Sequence, residues 1–534
     1  MKHVVALNKV ILLLTGSLLF ACDKDNKKVV TPEPEVLVDY TFVENLGDKT
    51  TALDASDSGH GFSTPIPTLT ASELAQHLSG DAFFETAYTT APSDEHPALD
   101  GLGPVFNNQD CNSCHQRDGR PSTLTIPQGE ERILLGASAG IFLRMSIDDG
   151  ECKMPSIDNN YCKNSPVPGF GTQLFHRGVL KAREDWQDKP FTGQADVYLS
   201  YQYIEHTYND GESITLKKPV FTIESAYDVA DEDIANSHIL QADVRYSPRN
   251  GMPIFGLGLL ELIPEQAILE LSDELDTNND GISGRPNWVF DPVKAKNNEA
   301  VPVALGRFGW KASTPNVRAQ SLGALRGDMG ITNPLFPQES IANTAMHESY
   351  LTRTNFVDTG IDEQGQTEAS QAFSDDVVFY AETLAVPARR NVSDENVIQG
   401  AQLFTQIACA TCHHPDFITA TGEATLGGVP APEALKGQHI YPFSDMLLHD
   451  MGDELADNRR DFTATGREWK TRPLWGIGLT KTVNPAAGFL HDGRADTVEE
   501  AILWHGGEAK KSRDDFVALT QNQREQLLAF VMSL

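Results

Sequence analysis

Cationic side chains are in short supply: 42 Lys and Arg stand against 75 Asp and Glu, a formal net charge of −33 at pH 7. Nucleic acid is excluded as a partner on that ground, because neutralising phosphate takes Lys and Arg. The same acidity favours long-range attraction to a basic partner protein, an effect that added salt weakens. The alternative is a merely soluble surface in a salty medium. Long apolar runs are scarcer still. Only Ile11 to Phe20 forms one, and it is too short to span a hydrocarbon core. Cysteine is rare as well, at 7 in 534 residues, too few for a disulfide scaffold.

What the first residues do contain is an export signal. Lys2 and Lys9 precede the apolar run, and Leu19-Phe20-Ala21-Cys22 resembles a bacterial lipobox in which Cys22 is lipidated and becomes the mature N-terminus. The expectation is a lipid-anchored protein on the periplasmic side of a bacterial membrane, with a residual transmembrane anchor as the alternative. The charged run from Asp23 to about Val38 then serves as a tether. Export also bears on Cys152 and Cys162, ten residues apart, which suit a disulfide in an oxidising compartment. Closing so short a loop contributes roughly 3 kcal/mol. Two free buried thiols are the alternative.

The other four cysteines form two Cys-x-x-Cys-His motifs, Cys111/Cys114/His115 and Cys409/Cys412/His413. Two thiols at this spacing reach the two vinyl-derived carbons of one porphyrin, and the next residue places its imidazole under the iron. A four-cysteine zinc site leaves both histidines unexplained, and so does thiol–disulfide exchange. The motifs therefore predict two covalently bound haems c. The sixth iron position decides between carrier and catalyst, since a thioether raises the potential and an open position admits peroxide. For the second haem Met451 is the expected ligand, with Met446 and His449 next. For the first the candidates are His176, Met145, Met329 and His347, or a vacancy. Asp276, Asn278 and Asp280, with Gly281, match the first half of a calcium loop, but its twelfth position is Asn287. Calcium is thus an expectation, with an Asx-rich turn as the alternative.

Periodicity suggests how these motifs are held. Val397, Ile398, Ala401, Phe404 and Ile407 fall on one helical face just before Cys409. Gly400 suits a close crossing with a C-terminal helix that opens on a Thr520/Gln523 capping box. A second box, Thr497 with Glu500, opens another helix. Gly80 and Phe83-Phe84 repeat the Gly400/Phe404 pattern ahead of the first motif. Between residues 120 and 380, Gly/Pro-rich loops alternate with β-like runs at 132–136 and 140–144. The expected fold is mainly α. It has two cytochrome c-like haem domains, the N-terminal one carrying a large loop-rich insertion with short β-strands. The expected boundaries are 1–21 lipoprotein signal peptide, 22–70 tether and N-terminal extension, 71–388 N-terminal haem domain and 389–534 C-terminal cytochrome c domain.

A wider set of motifs resembles a known family. Leu99 to Asn107 (Leu-Asp-Gly-Leu-Gly-Pro-Val-Phe-Asn), the Cys111 motif, Gly119-Arg-Pro, Phe255 to Glu261, Gly306 to Ala312 and Asp328 to Thr332 are similar to segments of the bacterial di-haem oxidoreductases of peroxidase type, also called thiol oxidoreductases. Leu447 to Gly452, Phe489 to Ala495 and Ala501 to Glu508 continue the resemblance, which runs from about residue 75 to the C-terminus. That family resembles, more distantly, the di-haem cytochrome c peroxidases and MauG-type enzymes. The resemblance implies that the C-terminal haem, on His413 and Met451, accepts electrons from a redox partner protein, while the N-terminal haem, on His115, reduces hydrogen peroxide. It also implies distal roles for Glu261 and Gln320, a distal acid assisting O–O cleavage. Trp310 or Trp475 becomes the candidate relay between haems. The peroxidases carry their methionine ligand just before a Lys-x-Pro segment, and Gly466 to Pro473 holds none, which moves that ligand elsewhere. Two other functions stay open: electron transfer without catalysis, and MauG-like oxidation of a protein or organic substrate.

Overall fold

Capping chemistry sets where the longer helices begin. The computed structural model describes residues 39–534 apart from 54–57, 91–98, 100, 137–138, 149–163, 179–192, 227–237, 340–359 and 361–364. Helix α1 (Ala71–Glu85) opens on a reciprocal Thr70/Glu73 box. A left-handed Gly256 precedes the short α2 (Leu257–Glu261). Asn316 caps α3 (Val317–Met329), Ser370 caps α4 (Gln371–Thr383) and Asp394 caps α5 (Glu395–Gln406). A single turn, α6 (Cys409–Cys412), follows. The hydroxyl of Thr497 caps α7 (Val498–Leu503), but the Glu500 carboxylate accepts from Asp496 N, so that box is half formed. Both halves of the Thr520/Gln523 box are present at α8 (Gln521–Ser533).

Two helix pairs cross through glycine. A Cβ on Gly80 would lie 2.1 Å from Asp376 O and 2.7 Å from Tyr380 Cβ, so α1 meets α4 there. A Cβ on Gly400 would lie 2.0 Å from Gln526 O and 2.7 Å from Phe530 Cβ, which places the expected α5–α8 crossing at that residue.

Between the two pairs the chain builds sheets. The strands are β1 (Ile133–Leu134), β2 (Ile141–Ile147), β3 (Gln173–Leu174), β4 (Asp196–Thr207), β5 (Ser213–Glu224) and β6 (Val244–Asn250). They form two antiparallel three-stranded sheets, ordered β1-β4-β5 and β3-β2-β6. The runs read as β-like at 132–136 and 140–144 correspond to β1 and β2. The β4–β5 hairpin reaches the C-terminal helices, where Tyr208 Oη donates to Glu499 at 2.7 Å and Arg524 pairs with Glu212 at 2.8 Å. Nearer the C-terminus, β7 (Leu448–Asp450) pairs with β8 (Glu468–Lys470), setting His449 opposite Trp469.

Helix accounts for 29% and strand for 21%, in many small sheets, which overturns the expectation of a mainly α chain with two cytochrome c-like domains. The physical reason is visible between α6 and α7. There the chain runs through two- and three-residue ladders separated by turns, too short to impress any periodicity on the sequence. The described residues form one compact unit. Arg389, almost fully buried, donates to Ser533 Oγ and to the carbonyls of Tyr40 and Thr41, fastening the segment near residue 40 to the end of α8. No helix among the described residues is long and apolar enough to cross a membrane. The export signal, Cys22, the tether, the Cys152/Cys162 pair and His347 lie outside the described residues.

Candidate metal centres

Both Cys-x-x-Cys-His motifs take the same local turn. His413 N donates to Cys409 O at 3.0 Å, and His115 N donates to Cys111 O at 2.9 Å. In each case a phenylalanine four residues after a crossing glycine packs on the imidazole. Phe404 lies 6.2 Å from the His413 ring and Phe84 6.2 Å from the His115 ring. The unit of glycine, phenylalanine, histidine and facing helix is thus built twice.

The two histidines are prepared alike. His413 Nδ1 lies 3.0 Å from Phe443 O, and His115 Nδ1 lies 2.5 Å from Met252 O. A backbone carbonyl can only accept, so Nδ1 carries the proton and Nε2 is left as the lone-pair nitrogen. Burial holds His413 down at about 4, and it lowers His115 as well, so both imidazoles are neutral. Neutral imidazole with its second N–H fixed by a carbonyl is the form that ligates metal. The four thiols are unbridged. Burial pushes Cys409 and Cys114 up to about 12, which keeps thiolate, the reactive form in thiol–disulfide exchange, sparsely populated.

A cavity of about 240 Å³ borders Cys409, Cys412 and His413, and its other walls are mostly apolar. Two thiols and a ligating imidazole on one apolar cavity fit a porphyrin. At the first motif Asn108 Nδ2 donates to Cys114 Sγ at 3.0 Å. Cys111 there packs in a small apolar cluster with Phe106, Leu325 and Met329.

The structure sorts the sixth-ligand candidates. Met451 borders the cavity with His413, whereas Met446 is buried in the main core. His449 has neither nitrogen to spare, with Nε2 2.7 Å from Asp445 and Nδ1 2.7 Å from Glu508. Burial opposes its charge, but Asp445, Cys412 and Glu508 outweigh that and hold its pKa well above the usual imidazole range. His505 and His491, not expected from the sequence, border the same cavity. His505 Nδ1 lies 2.8 Å from Ala501 O, the arrangement seen at His413, and His491 stacks 3.8 Å from Trp469. Both stand inside motifs that carried the family resemblance, which was the available signal. Near the first motif, Met329 shares a cluster with Cys111, Met145 lies in the sheet core, and His176 Nδ1 contacts Asn107 Nδ2 at 2.9 Å.

Other expected residues are placed elsewhere. Glu261 accepts from Val317 N and Gly427 N, each at 2.6 Å, and so anchors the start of α3. Neither Glu261 nor Gln320 borders the cavity beside His413. Asp276, Asn278 and Asp280 lie on an exposed loop and accept from its own amides at Gly281, Asp280 and Ile282. Among the described residues, the one group of three His, Cys, Asp or Glu whose ligand atoms lie within 4.8 Å of one another is Cys412, Asp445 and His449. Trp310 and Trp475 both border the cavity. Trp310 Nε1 donates to Asn250 O at 2.8 Å, two residues before the Met252 carbonyl that holds His115. One indole thus touches the surroundings of both motifs.

A family model described as "Di-haem oxidoreductase, putative peroxidase" matches residues 40–534. No curated protein and no solved structure matches the chain.

Proposed function

Because the chain belongs to the di-haem oxidoreductase family, we propose that it carries two haems c and passes electrons from an external donor, through the C-terminal site, to peroxide at the N-terminal site. The observation that carries this reading is the twice-built histidine unit, with Trp310 bordering the His413 cavity and bonded to the segment that holds His115. Each Cys pair would attach a porphyrin by thioethers, with His413 and His115 as proximal ligands and Met451 as sixth ligand at the second site. Haem supplies redox-active iron, and where a position is open, a place for peroxide to bind. Around it the chain's own residues do the orienting. Phe443 O and Met252 O fix the tautomer of each histidine, and Phe404 and Phe84 fix the ring planes. The net reaction takes two electrons and two protons per peroxide and yields two waters.

The lipobox at Cys22 supports a lipid-anchored protein facing the periplasm, and the net charge of −33 supports a basic redox protein as donor. Calcium forms no part of this proposal, since the Asp276–Gly281 loop has the bonding of an Asx-rich turn.

The test is an optical and EPR titration of the purified full-length protein through both reduction steps, followed by hydrogen peroxide. Two haems, one of them readily ligated by cyanide, and peroxide consumption by the half-reduced form are expected. Two irons that stay six-coordinate while peroxide persists would make the chain an electron carrier instead.

A further inference from the structure

The cavity beside His413 is positively charged in an otherwise acidic protein. Arg120, Arg472, Lys470 and Arg513 border it, and among the described residues no Asp or Glu does. Arg513 donates to Asp514 at 2.8 Å, and Lys470 Nζ donates to Arg307 O at 2.7 Å. The other two, Arg120 and Arg472, keep guanidinium N–H groups that no described residue accepts. Arg120 is about nine-tenths buried, at 7% exposure. Its Nη2 donates to Leu490 O at 2.5 Å, while its Nε has no acceptor. The nearby Asp492 carboxylate is taken by Arg494, which donates to both its oxygens. Among the described residues the guanidinium of Arg472 makes no hydrogen bond or ion pair. Both guanidinium carbons lie 5.2 Å from the centroid of the Trp310 ring. Burial first, and each other's charge next for Arg120, press these groups toward deprotonation. Two like charges facing one apolar cavity without an anion are unfavourable unless an anion arrives.

A haem brings two anions of the right kind. Its propionate carboxylates leave the porphyrin from the edge away from the vinyl groups that the cysteines engage. We propose that Arg120 and Arg472 bind the propionate carboxylates of the haem attached at Cys409 and Cys412. The inference rests on the two-haem reading and adds a role for this chain's residues toward that group. Planar guanidinium forks match carboxylates bidentately, which a lysine cannot do. Arg120 lies just downstream of His115, so the clamp ties the segment of the first site to the cofactor of the second. Two positive charges beside that haem favour its reduced state, and their loss lowers its midpoint.

The experiment uses full-length holoprotein with Arg120→Gln and Arg472→Gln, and with Arg120→Lys and Arg472→Lys. Intact mass counts the covalent haems, and spectroelectrochemistry reads each midpoint. Both haems should stay attached through their thioethers in all four variants. The C-terminal midpoint should fall in the Gln variants and recover in part in the Lys variants. Unchanged midpoints in haem-replete Gln variants would overturn the proposal. So would a saturable spectral shift of the wild-type protein with benzoate that the Gln variants lose, because the clamp would then be open to a free carboxylate. Absence of haem mass at Cys409/Cys412 in the wild type is a different result, and it sinks the two-haem reading itself.

Discussion

Glu261 and Glu382 are two buried carboxyls that influence each other. Burial raises Glu382 well above its usual range and the charge of Glu261 adds to it, with Arg318 opposing. Burial also raises Glu261, to about 7 from 4.5, against the two backbone amides it accepts and the nearby Arg307. The folded state therefore holds protons that the unfolded chain releases near pH 4.5. By linkage that stability is complete below about pH 4.5 and is lost as pH rises through the folded values, at up to about 1.4 kcal/mol per pH unit per proton. The Glu382→Gln variant should lose much of this dependence, and comparing thermal unfolding midpoints at pH 5 and pH 8 checks it. An equal drop in variant and wild type would mean that other groups set the slope. At this scale legibility was uneven. The two motif histidines could be singled out directly because proposed attachment and ligation share five consecutive residues. The sixth ligand depends on which loop returns to the cavity, so Met451 was legible only as a candidate, and His505 and His491 were not singled out.

The elements repeat a device: Gly80 and Gly400 each let a second helix approach closely enough for a phenylalanine to pack on the motif histidine. An alanine at 400 would drive its Cβ against Gln526 O, so Gly400→Ala should cost about 1–3 kcal/mol through overpacking. Denaturant unfolding of the holoprotein measures it. Gly136→Ala, where a Cβ meets nothing within 4 Å, is the control and should change stability by less than about 0.5 kcal/mol. A harmless Gly400→Ala would show that the helices can part without loss. The α5–α8 pair was legible, since caps and a 3.6-residue stripe are local signals: Val397, Ala401, Phe404 and Ile407 are buried, with Ile398 half-buried. Of the α1–α4 pair the sequence offered only Gly80 and Phe83-Phe84. The small sheets were not legible in detail. Pairs such as Val105 with Gly178, or His449 with Trp469, join segments whose partners are set by the packed whole rather than by their own two or three residues.

Across the whole molecule, the proposed function raises the question of how an electron would travel between two sites that lie about 300 residues apart in sequence but share one packed unit. Trp310 offers a short route, because its indole borders the His413 cavity and its N–H meets Asn250 O on the segment that ends at the Met252 carbonyl. Trp475 also borders the cavity, but it packs against Gly256 and, among the described residues, makes no hydrogen bond toward His115. Cations near the Trp310 ring disfavour a positive charge on the indole. Such a residue suits passage of an electron better than storage of an oxidised state. Trp310→Phe keeps an aromatic ring in the same space and removes the N–H, so both haems should remain attached while the rate of electron exchange between them falls. Trp475→Phe should leave that rate near the wild-type value. Photoreduction of the half-oxidised protein, followed at wavelengths that separate the two haems, reports the rate directly. Equal slowing in the two variants would mean that packing of the cavity wall governs transfer, and an unaffected rate in Trp310→Phe would move the route away from the Asn250–Met252 segment altogether.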